Sequence, residues 1–383
     1  MKIYVTTQGA RIIKEGRHLL VKKGEDTYNT LFVQKLDQVA VFGSVEITAA
    51  ARRMLFKNNI DTVFLSKDGR YLGRFASPES KNFALRHKQF VLLDDQEFGL
   101  VLCRQLVRGK LTNMMTLLKR IKRTRNKKEA GRKAGEIKAL LDAVDKAESI
   151  ESLRGYEGRG SAIYFSALPL GFLQDHGFHR RVRRPPTDPV NAVLSLLYTF
   201  LFNRVYAAVR LNNLDPYPSF LHSPDYGRHS LVMDLMEEFR VIVVDSLVLS
   251  LFNLKILRED DFQLVRPPEA VDKKKEEAPD VSRDLYGHIS DTESKELFDL
   301  PPQRMTEEAV DEAEEGGGKP PVRLVPAALR RVIENFERKL TTEFHYEPYD
   351  RKITYAEALR AQAGQYRKRV EGDIKIYEPL LLK

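Results

Sequence analysis

Asp234, Glu237 and Glu238 stand at i, i+3 and i+4 in a run that is otherwise apolar: Leu231, Val232, Leu235, Met236 and Phe239. On a helix such residues lie on neighbouring rows, where like charges repel unless a cation or a basic partner offsets them. The apolar surround favours at least one carboxylate pointing into a cleft. Two further polar islands interrupt apolar sequence. One carries Glu157 among the small residues Gly155, Gly158 and Gly160, which permit close approach of a backbone or a substrate. The other runs from Leu214-Asp215-Pro216 to Phe220-Leu221-His222. Mg²⁺ takes oxygen ligands, and Mn²⁺ accepts an added imidazole. A site of Glu157, His222 and Glu237 fits either ion. Beside DNA, such an ion polarises a phosphodiester and stabilises an entering or leaving oxygen. Blander readings stand next to this one. The acidic set can be a solvated or salt-bridged helix face, His222 a hydrogen-bonded histidine, and Glu157 a partner of Arg154 or Arg159.

The elements that must position these residues fall into blocks. Residues 1–80 read as a β-rich domain. Lys2 to Thr7 alternates, Val39 to Phe42 is a buried strand ending at Gly43, Ile47 to Asn58 is a helix, and Asp61 to Leu65 is a strand followed by an Asp-Gly turn. Residues 81–264 carry long helical patterns. Asn191 to Leu211 is apolar almost all round, which marks a central buried helix, and His229 to Phe252 is similar with a polar break at Glu237 to Arg240. Residues 265–321 hold charge runs, prolines and Gly316-Gly317-Gly318 and read as a mobile, net acidic insertion. Helical pattern resumes within 322–383, at Pro326 to Leu340 and Tyr355 to Val370. The predicted class is α+β: a small N-terminal β-rich domain followed by a larger all-α domain.

The 383 residues carry 63 Lys+Arg against 54 Asp+Glu, a formal charge of +9. The excess is local. Arg108 to Lys138 is densely basic, including Arg120, Arg123 and Arg125, and Arg180-Arg181-Val182-Arg183-Arg184 forms a second cluster. Phosphate backbones need such clusters, because binding releases condensed counterions; a solvated helix face is the alternative. The single Cys103 excludes a disulfide framework and any cysteine-based zinc site. No stretch approaches the roughly 18–20 uninterrupted apolar residues of a membrane span, and the N-terminus reads as a strand rather than a signal peptide. A cytoplasmic location is expected.

Four motifs then carry a resemblance. Leu153 to Arg159, Arg183 to Ser195, Leu214-Asp215-Pro216 with Phe220-Leu221-His222, and Ser230 to Arg240 with Val244-Asp245, in this order and spacing, resemble the CRISPR-associated spacer integrase and endonuclease family. The resemblance implies a β-rich dimerisation domain and a helical catalytic domain. It implies a Mg²⁺ or Mn²⁺ ion held by Glu157, His222 and Glu237, with Asp234 near the metal and important for activity. It also implies a reaction: the 3′-OH of a captured DNA fragment attacks a phosphodiester at the edge of a CRISPR repeat, with metal-dependent nuclease activity as the other side of the same chemistry. The implied partners are double-stranded DNA fragments, repeat DNA, a second copy of this chain and a small dimeric adaptation protein bridging two such dimers. No membrane is implied. Arg120, Arg123, Arg125, Arg159, Arg183, Arg184 and Arg228 are the expected DNA contacts. Asn213 and Ser219 stand where the family usually has glycine, Val241 where proline often follows Phe-Arg, and Asn113-Met114 where Asn-Gln is common. Two other readings compete: a catalytically silent DNA-binding subunit, and a nuclease outside CRISPR adaptation.

Overall fold

The structure is a computed structural model that describes residues 2–67, 69–75, 82–182, 186–223, 227–264 and 321–382. Strands come first: β1 (Lys2–Val5), β2 (Arg11–Glu15), β3 (His18–Lys23), β4 (Asp26–Phe32), β5 (Gln38–Phe42), β6 (Glu46–Ile47), β7 (Asp61–Leu65) and β8 (Tyr71–Phe75), with helix α1 (Ala49–Lys57) before β7. They form two sheets, ordered β1-β5-β7-β8 and β4-β3-β2-β6. In the first, β1, β5 and β7 run parallel and β8 returns antiparallel. Every residue of β5 is buried, and the pleat sends its side chains two ways. Val39 and Val41 join Val5, Ile12, Leu19, Leu31 and Leu55 in a core shared by both sheets and α1. Ala40 and Phe42, with Val63 and Leu65 of β7, enter the larger core of the helices. An unbroken apolar run is what a strand covered on both faces requires.

The helices follow: α2 (Phe83–Val91), α3 (Gln96–Arg125), α4 (Lys128–Asp145), α5 (Ile150–Ala167), α6 (Pro189–Leu211), α7 (Ser230–Phe239), α8 (Ser246–Asn253), α9 (Pro326–Thr341) and α10 (Tyr355–Glu371). Asp188 caps α6 by accepting from Asn191 N at 2.8 Å, and Pro189 sits in the first turn, where a missing N–H costs nothing. α6 is long and apolar enough to cross a membrane, which qualifies the expectation that no segment approaches a span. However, 78% of its most apolar stretch is buried inside this fold. Phe42 meets Phe200 of α6 edge-on at 6.0 Å, and Tyr4 of β1 donates to Glu337 of α9 at 2.6 Å, so the first sheet is fastened to the helices by rings and by a partly buried hydrogen bond.

The mostly helical second part is not free of strands. β9 (Phe262–Leu264) pairs with β10 (Val322–Leu324), and β11 (Glu343–Tyr346) with β12 (Arg351–Thr354), each as an antiparallel pair. Strands of three or four residues carry too little alternation to be read from sequence. The polar break read at Glu237 to Arg240 falls at the end of α7, and a π-helical segment, residues 240–245, follows it before α8. The boundary drawn between residues 80 and 81, and all but the last residue of the insertion drawn over 265–321, lie outside the described residues.

Candidate active site

α3 supplies the floor of the site. Asp95 caps it by accepting from Phe98 N at 2.9 Å, and its apolar stripe runs through Leu102, Leu106, Val107, Leu111 and Met114. Lys110 lies on that same stripe and is 5% exposed. A cation there demands partners, and two neighbouring helices provide them. Glu157 of α5 accepts from Lys110 Nζ through Oε1, and Glu237 Oε2 of α7 lies 2.6 Å from the same nitrogen. α5 comes close to α3 at Gly160, where a Cβ would stand 2.2 Å from Leu111 Cδ2. Of the three glycines thought to permit close approach, only Gly160 does so; Gly155 and Gly158 meet nothing within 4 Å.

His222 arrives on the loop between α6 and α7, and that loop is held at several points. Gln89 of α2 clamps Asp215 through both its amide atoms, at 3.1 Å to Asp215 O and 2.8 Å from Asp215 N. Arg86 adds a bond to Asp215 Oδ2 at 3.0 Å. Leu214-Asp215-Pro216 is thus an anchor. Arg154 donates to Leu221 O at 2.6 Å and to Phe220 O at 3.1 Å, so it holds the loop instead of pairing with Glu157. Ser219 donates to His222 O at 2.6 Å. Asn213 has φ of 60°, the left-handed conformation that glycine or asparagine takes without the usual penalty.

Asp234 completes the loop. Its Oδ2 accepts from Phe220 N and Leu221 N at 3.1 Å each; its Oδ1 accepts from His222 N at 2.9 Å and meets His222 Nδ1 at 2.7 Å. Asp234 is 1% exposed. Its carboxylate is saturated by the loop, so it positions His222 and has no oxygen left over for a ligand. The other ring nitrogen, Nε2, faces Glu237 Oε1 at 3.8 Å.

The three predicted site residues are therefore gathered: Glu157 and Glu237 around one ammonium, and His222 beside Glu237. Glu237 is nearly enclosed, whereas Glu157 and His222 have side chains 27% and 21% exposed, so the mouth of the site lies on their side. Burial pushes the Glu237 carboxyl up, but the charges of Arg240, Lys110 and His222 outweigh it and bring it down to about 2. Arg240 Nε lies 3.1 Å from Glu237 Oε2, and the Arg240 guanidinium sits over the Tyr198 ring at 4.9 Å. The contacts of Glu237 Oε2 are ion pairs without hydrogen-bond geometry, so this buried oxygen is charged yet not directionally satisfied.

Among the described residues, no three histidine, cysteine, aspartate or glutamate side chains stand close enough to hold a metal ion as they are. The donor set nevertheless suits one. Two carboxylates and an imidazole whose other nitrogen is fixed by a buried aspartate make the oxygen-and-nitrogen set that Mg²⁺ or Mn²⁺ accepts. A cation, the Lys110 ammonium, already stands between the two carboxylates.

Sequence reasoning passed over Lys110 as a site residue, placing it only among the basic residues of the cluster. The signal was there: a charge at i+4 from Leu106 and i+3 from Val107, within a buried stripe. It also passed over the support behind Arg240. Asp245 accepts from Tyr164 at 2.8 Å and Tyr198 at 2.6 Å, and the π-helical segment sets it at that depth.

The basic cluster divides. Arg108 pairs with Asp145, and Arg132 with Glu129 and Glu136, so those charges are neutralised on their own surface. Arg123 and Arg159 are exposed, and Arg120 and Arg125 half-buried; among the described residues no carboxylate pairs with any of the four. Arg228 donates to Met233 Sδ at 3.2 Å. Arg181 turns inward, to Asn191 at 2.8 Å and Ser195 at 3.0 Å. Arg183 and Arg184 lie outside the described residues.

Known proteins share much of this sequence and its fold. A family profile described as CRISPR associated protein Cas1 matches residues 3–271. CRISPR-associated endonuclease Cas1 3 of Thermus thermophilus is 35% identical over 262 residues, covering 68% of this chain and 76% of that one. Two solved structures share the fold, and at their level of identity the fold alone. A casposase bound to integration product has a TM-score of 0.78 and 19% identity, covering 100% of this chain and 95% of its own. A Cas6-RT-Cas1–Cas2 complex has a TM-score of 0.77 and 21% identity, and this chain spans 36% of that chain's length. With most of its length matched by the profile and a relative above 30% identity over two thirds of it, the chain belongs to the Cas1 family of CRISPR-associated proteins.

Proposed function

We propose that this chain is a metal-dependent DNA endonuclease and integrase of CRISPR adaptation. The reaction is a transesterification in which the 3′-OH of a short DNA fragment attacks a phosphodiester at the edge of a CRISPR repeat. The observation that carries the reading is the convergence of Glu157 and Glu237 on one cation, with His222 Nε2 at 3.8 Å from Glu237. The nuclease named in the Thermus relative and the integration product in the casposase structure support it.

Glu157, His222 and Glu237 would hold Mg²⁺ or Mn²⁺, which when bound supplies charge stabilisation on the phosphate and on the entering and leaving oxygens. The rest falls to side chains of this chain. Asp234 fixes the ring of His222 through Nδ1, which leaves Nε2 free on the side of Glu237. Arg240 and Lys110 keep Glu237 ionised in a buried place. Arg154 and Ser219 hold the loop that brings His222 to the mouth. Arg120, Arg123, Arg125 and Arg159, with Arg228, Arg183 and Arg184, contact the phosphates of the fragment and the repeat, which position DNA without reading its sequence.

The partners proposed are double-stranded fragment DNA, repeat DNA, a second copy of this chain and a Cas2-type dimer between two such pairs, in the cytoplasm. The complex named in one structural neighbour supports the Cas2-type partner. The edge strands β4 and β8, with Tyr28, Phe32 and Leu72 exposed, support pairing through the β-rich part. Asn213 and Ser219, which motivated a silent-subunit reading, both support a formed loop: one takes the backbone conformation that glycine would, the other adds a hydrogen bond.

The test is strand transfer of a short duplex into a repeat-bearing plasmid, with Mn²⁺ or Mg²⁺ and the Cas2-type partner. Glu157→Ala, His222→Ala and Glu237→Ala should each abolish joining while DNA binding persists. Wild-type joining by all three variants overturns the reading, and wild-type protein that binds DNA without joining it assigns the silent-subunit role instead.

A further inference from the structure

Lys110 has no obvious reason to be where it is. A lysine on the buried stripe of a long helix gives up water around its charge, and that is tolerated only against strong partners. Its partners are the two carboxylates that the reading above assigns to a divalent ion. Lys110 Nζ pairs with Glu157 Oε1 and lies 2.6 Å from Glu237 Oε2. A divalent ion held by the same two carboxylates would take the place of the ammonium between them. Two cations cannot share it, so one must leave for the other to enter.

The direction of leaving is fixed by the surroundings. Arg240 remains on the inner side of Glu237, over the Tyr198 ring. The apolar stripe of α3 closes the floor with Leu106, Val107 and Leu111, each fully buried. The open side is that of Glu157 and His222, with side chains 27% and 21% exposed. The flexible four-carbon stem of lysine carries its ammonium as a movable point charge, which a planar guanidinium does not match. A phosphate entering the site must come through that same mouth.

We propose that Lys110 is the resident cation of the site: it competes with the divalent ion for Glu157 and Glu237 and, once displaced, presents its ammonium to the phosphate at the mouth. The site then holds compensated charge with or without metal, and metal loading itself delivers a phosphate contact. This inference rests on the metal-site reading above.

The test measures Mn²⁺ binding directly, by the electron paramagnetic resonance signal of free Mn²⁺ during titration of the full chain. The proteins are wild type, Lys110→Met, Lys110→Arg and the control Glu237→Gln. Loss of wild-type binding in Glu237→Gln locates the ion independently of Lys110. Lys110→Met removes the competitor and should bind Mn²⁺ about tenfold more tightly, about 1.4 kcal/mol. Lys110→Arg, whose fork holds both carboxylates at once, should bind several-fold more weakly, and it decides the question alone where the methionine variant fails to fold. With Mn²⁺ saturating, Lys110→Met should also raise the KM for fragment DNA several-fold, which simple loss of a competitor does not do. Unchanged Mn²⁺ affinity in both Lys110 variants overturns the inference and leaves the metal site standing. Absence of Mn²⁺ binding by wild type and Lys110→Met alike overturns both.

Discussion

Replacing Asp234 by asparagine separates the charge and hydrogen bonding of this residue from its size. Its two oxygens each serve two donors: Oδ1 meets His222 N at 2.9 Å and His222 Nδ1 at 2.7 Å, and Oδ2 meets Phe220 N and Leu221 N at 3.1 Å each. An asparagine offers one carbonyl oxygen and one NH₂ group. Whichever way the amide turns, one pair of donors keeps an acceptor and the other faces N–H groups. A hydrogen bond to a charged acceptor contributes about 1.5–3 kcal/mol, so losing two of them costs about 3–6 kcal/mol at a residue 1% exposed. Much of that cost falls on the loop. Hydrogen exchange followed by mass spectrometry reads it in peptides spanning Phe220 to His222. Local opening made easier by 3 kcal/mol speeds exchange about a hundredfold, while peptides from the middle of α4 should be unchanged. The ring of His222 loses its fixed orientation in the same variant, and Mn²⁺ affinity should fall about 10- to 100-fold, the usual cost of removing a residue that orients a metal-bound histidine. Exchange within threefold of wild type across Phe220 to His222, with unaltered Mn²⁺ affinity, would refute the assignment of Asp234 as the anchor of this loop.

Two other predictions follow from charges elsewhere. Reversing Arg120, Arg123 and Arg125 to glutamate together should weaken DNA binding and flatten the dependence of log Kd on log salt by about one unit for each phosphate contact removed; a titration between low and physiological salt measures it, and an unchanged slope makes that face merely solvated. Asp245 gives a stability profile: burial pushes its carboxyl up to about 6, the bonds from Tyr198 and Tyr164 offsetting only part. The folded chain then binds a proton more readily than the unfolded one between pH ~4 and ~6, so this group's contribution to stability falls as pH rises through that window and is level above it. The full span is about 3 kcal/mol. Asp245→Asn should lack this decline, so the difference in urea midpoint between variant and wild type should shift in favour of asparagine from pH 4 to pH 6.5. A constant difference contradicts the buried, protonatable carboxyl.

Much of this was legible in the residues because burial on both faces leaves a plain trace. Val39 to Phe42 and Asn191 to Leu211 carry no polar side to confuse the reading, and both are core elements. The Thr48 cap explains why α1 starts at Ala49 and not Ile47. The short strands β6, β9 and β10 were beyond reach, since two or three residues cannot display a period. For the site, residue types and spacing indicated the acids and the histidine but not their partners. Partnership across 47 positions, as between Lys110 and Glu157, is a property of helix packing and has no local signature. Arg154 stands three residues before Glu157, and pairing them was reasonable on one helix, yet the carbonyls of Phe220 and Leu221 take its guanidinium. A carbonyl pair displayed by a folded loop is invisible in sequence.

The acids of α7 make the same point about how one helical turn is used. At i, i+3 and i+4 the bland expectation is a solvated face, but Asp234, Glu237 and Glu238 are 1%, 2% and 0% exposed. Three buried carboxylates on ten residues of helix are tolerable only because each has a separate set of donors. Asp234 takes the loop of His222, and Glu237 takes Lys110 and Arg240. Glu238 points elsewhere, accepting from Tyr377 at 2.7 Å, Gln362 at 2.9 Å and Leu380 N at 2.5 Å. Burial pushes its carboxyl up to about 7 despite those bonds. Asn113 of α3 ties the same turn down, donating to Glu238 O at 3.0 Å and to Leu380 O at 2.9 Å and accepting from Leu382 N at 2.7 Å. The helix that carries Glu237 is therefore pinned by the His222 loop on one row and by the segment Tyr377 to Leu382 on another. Rotating α7 to relax the charge at Glu237 would break bonds at both neighbours. The place of Glu237 is thus set by the other rows of the same helix, and a ligand arriving there finds it already held.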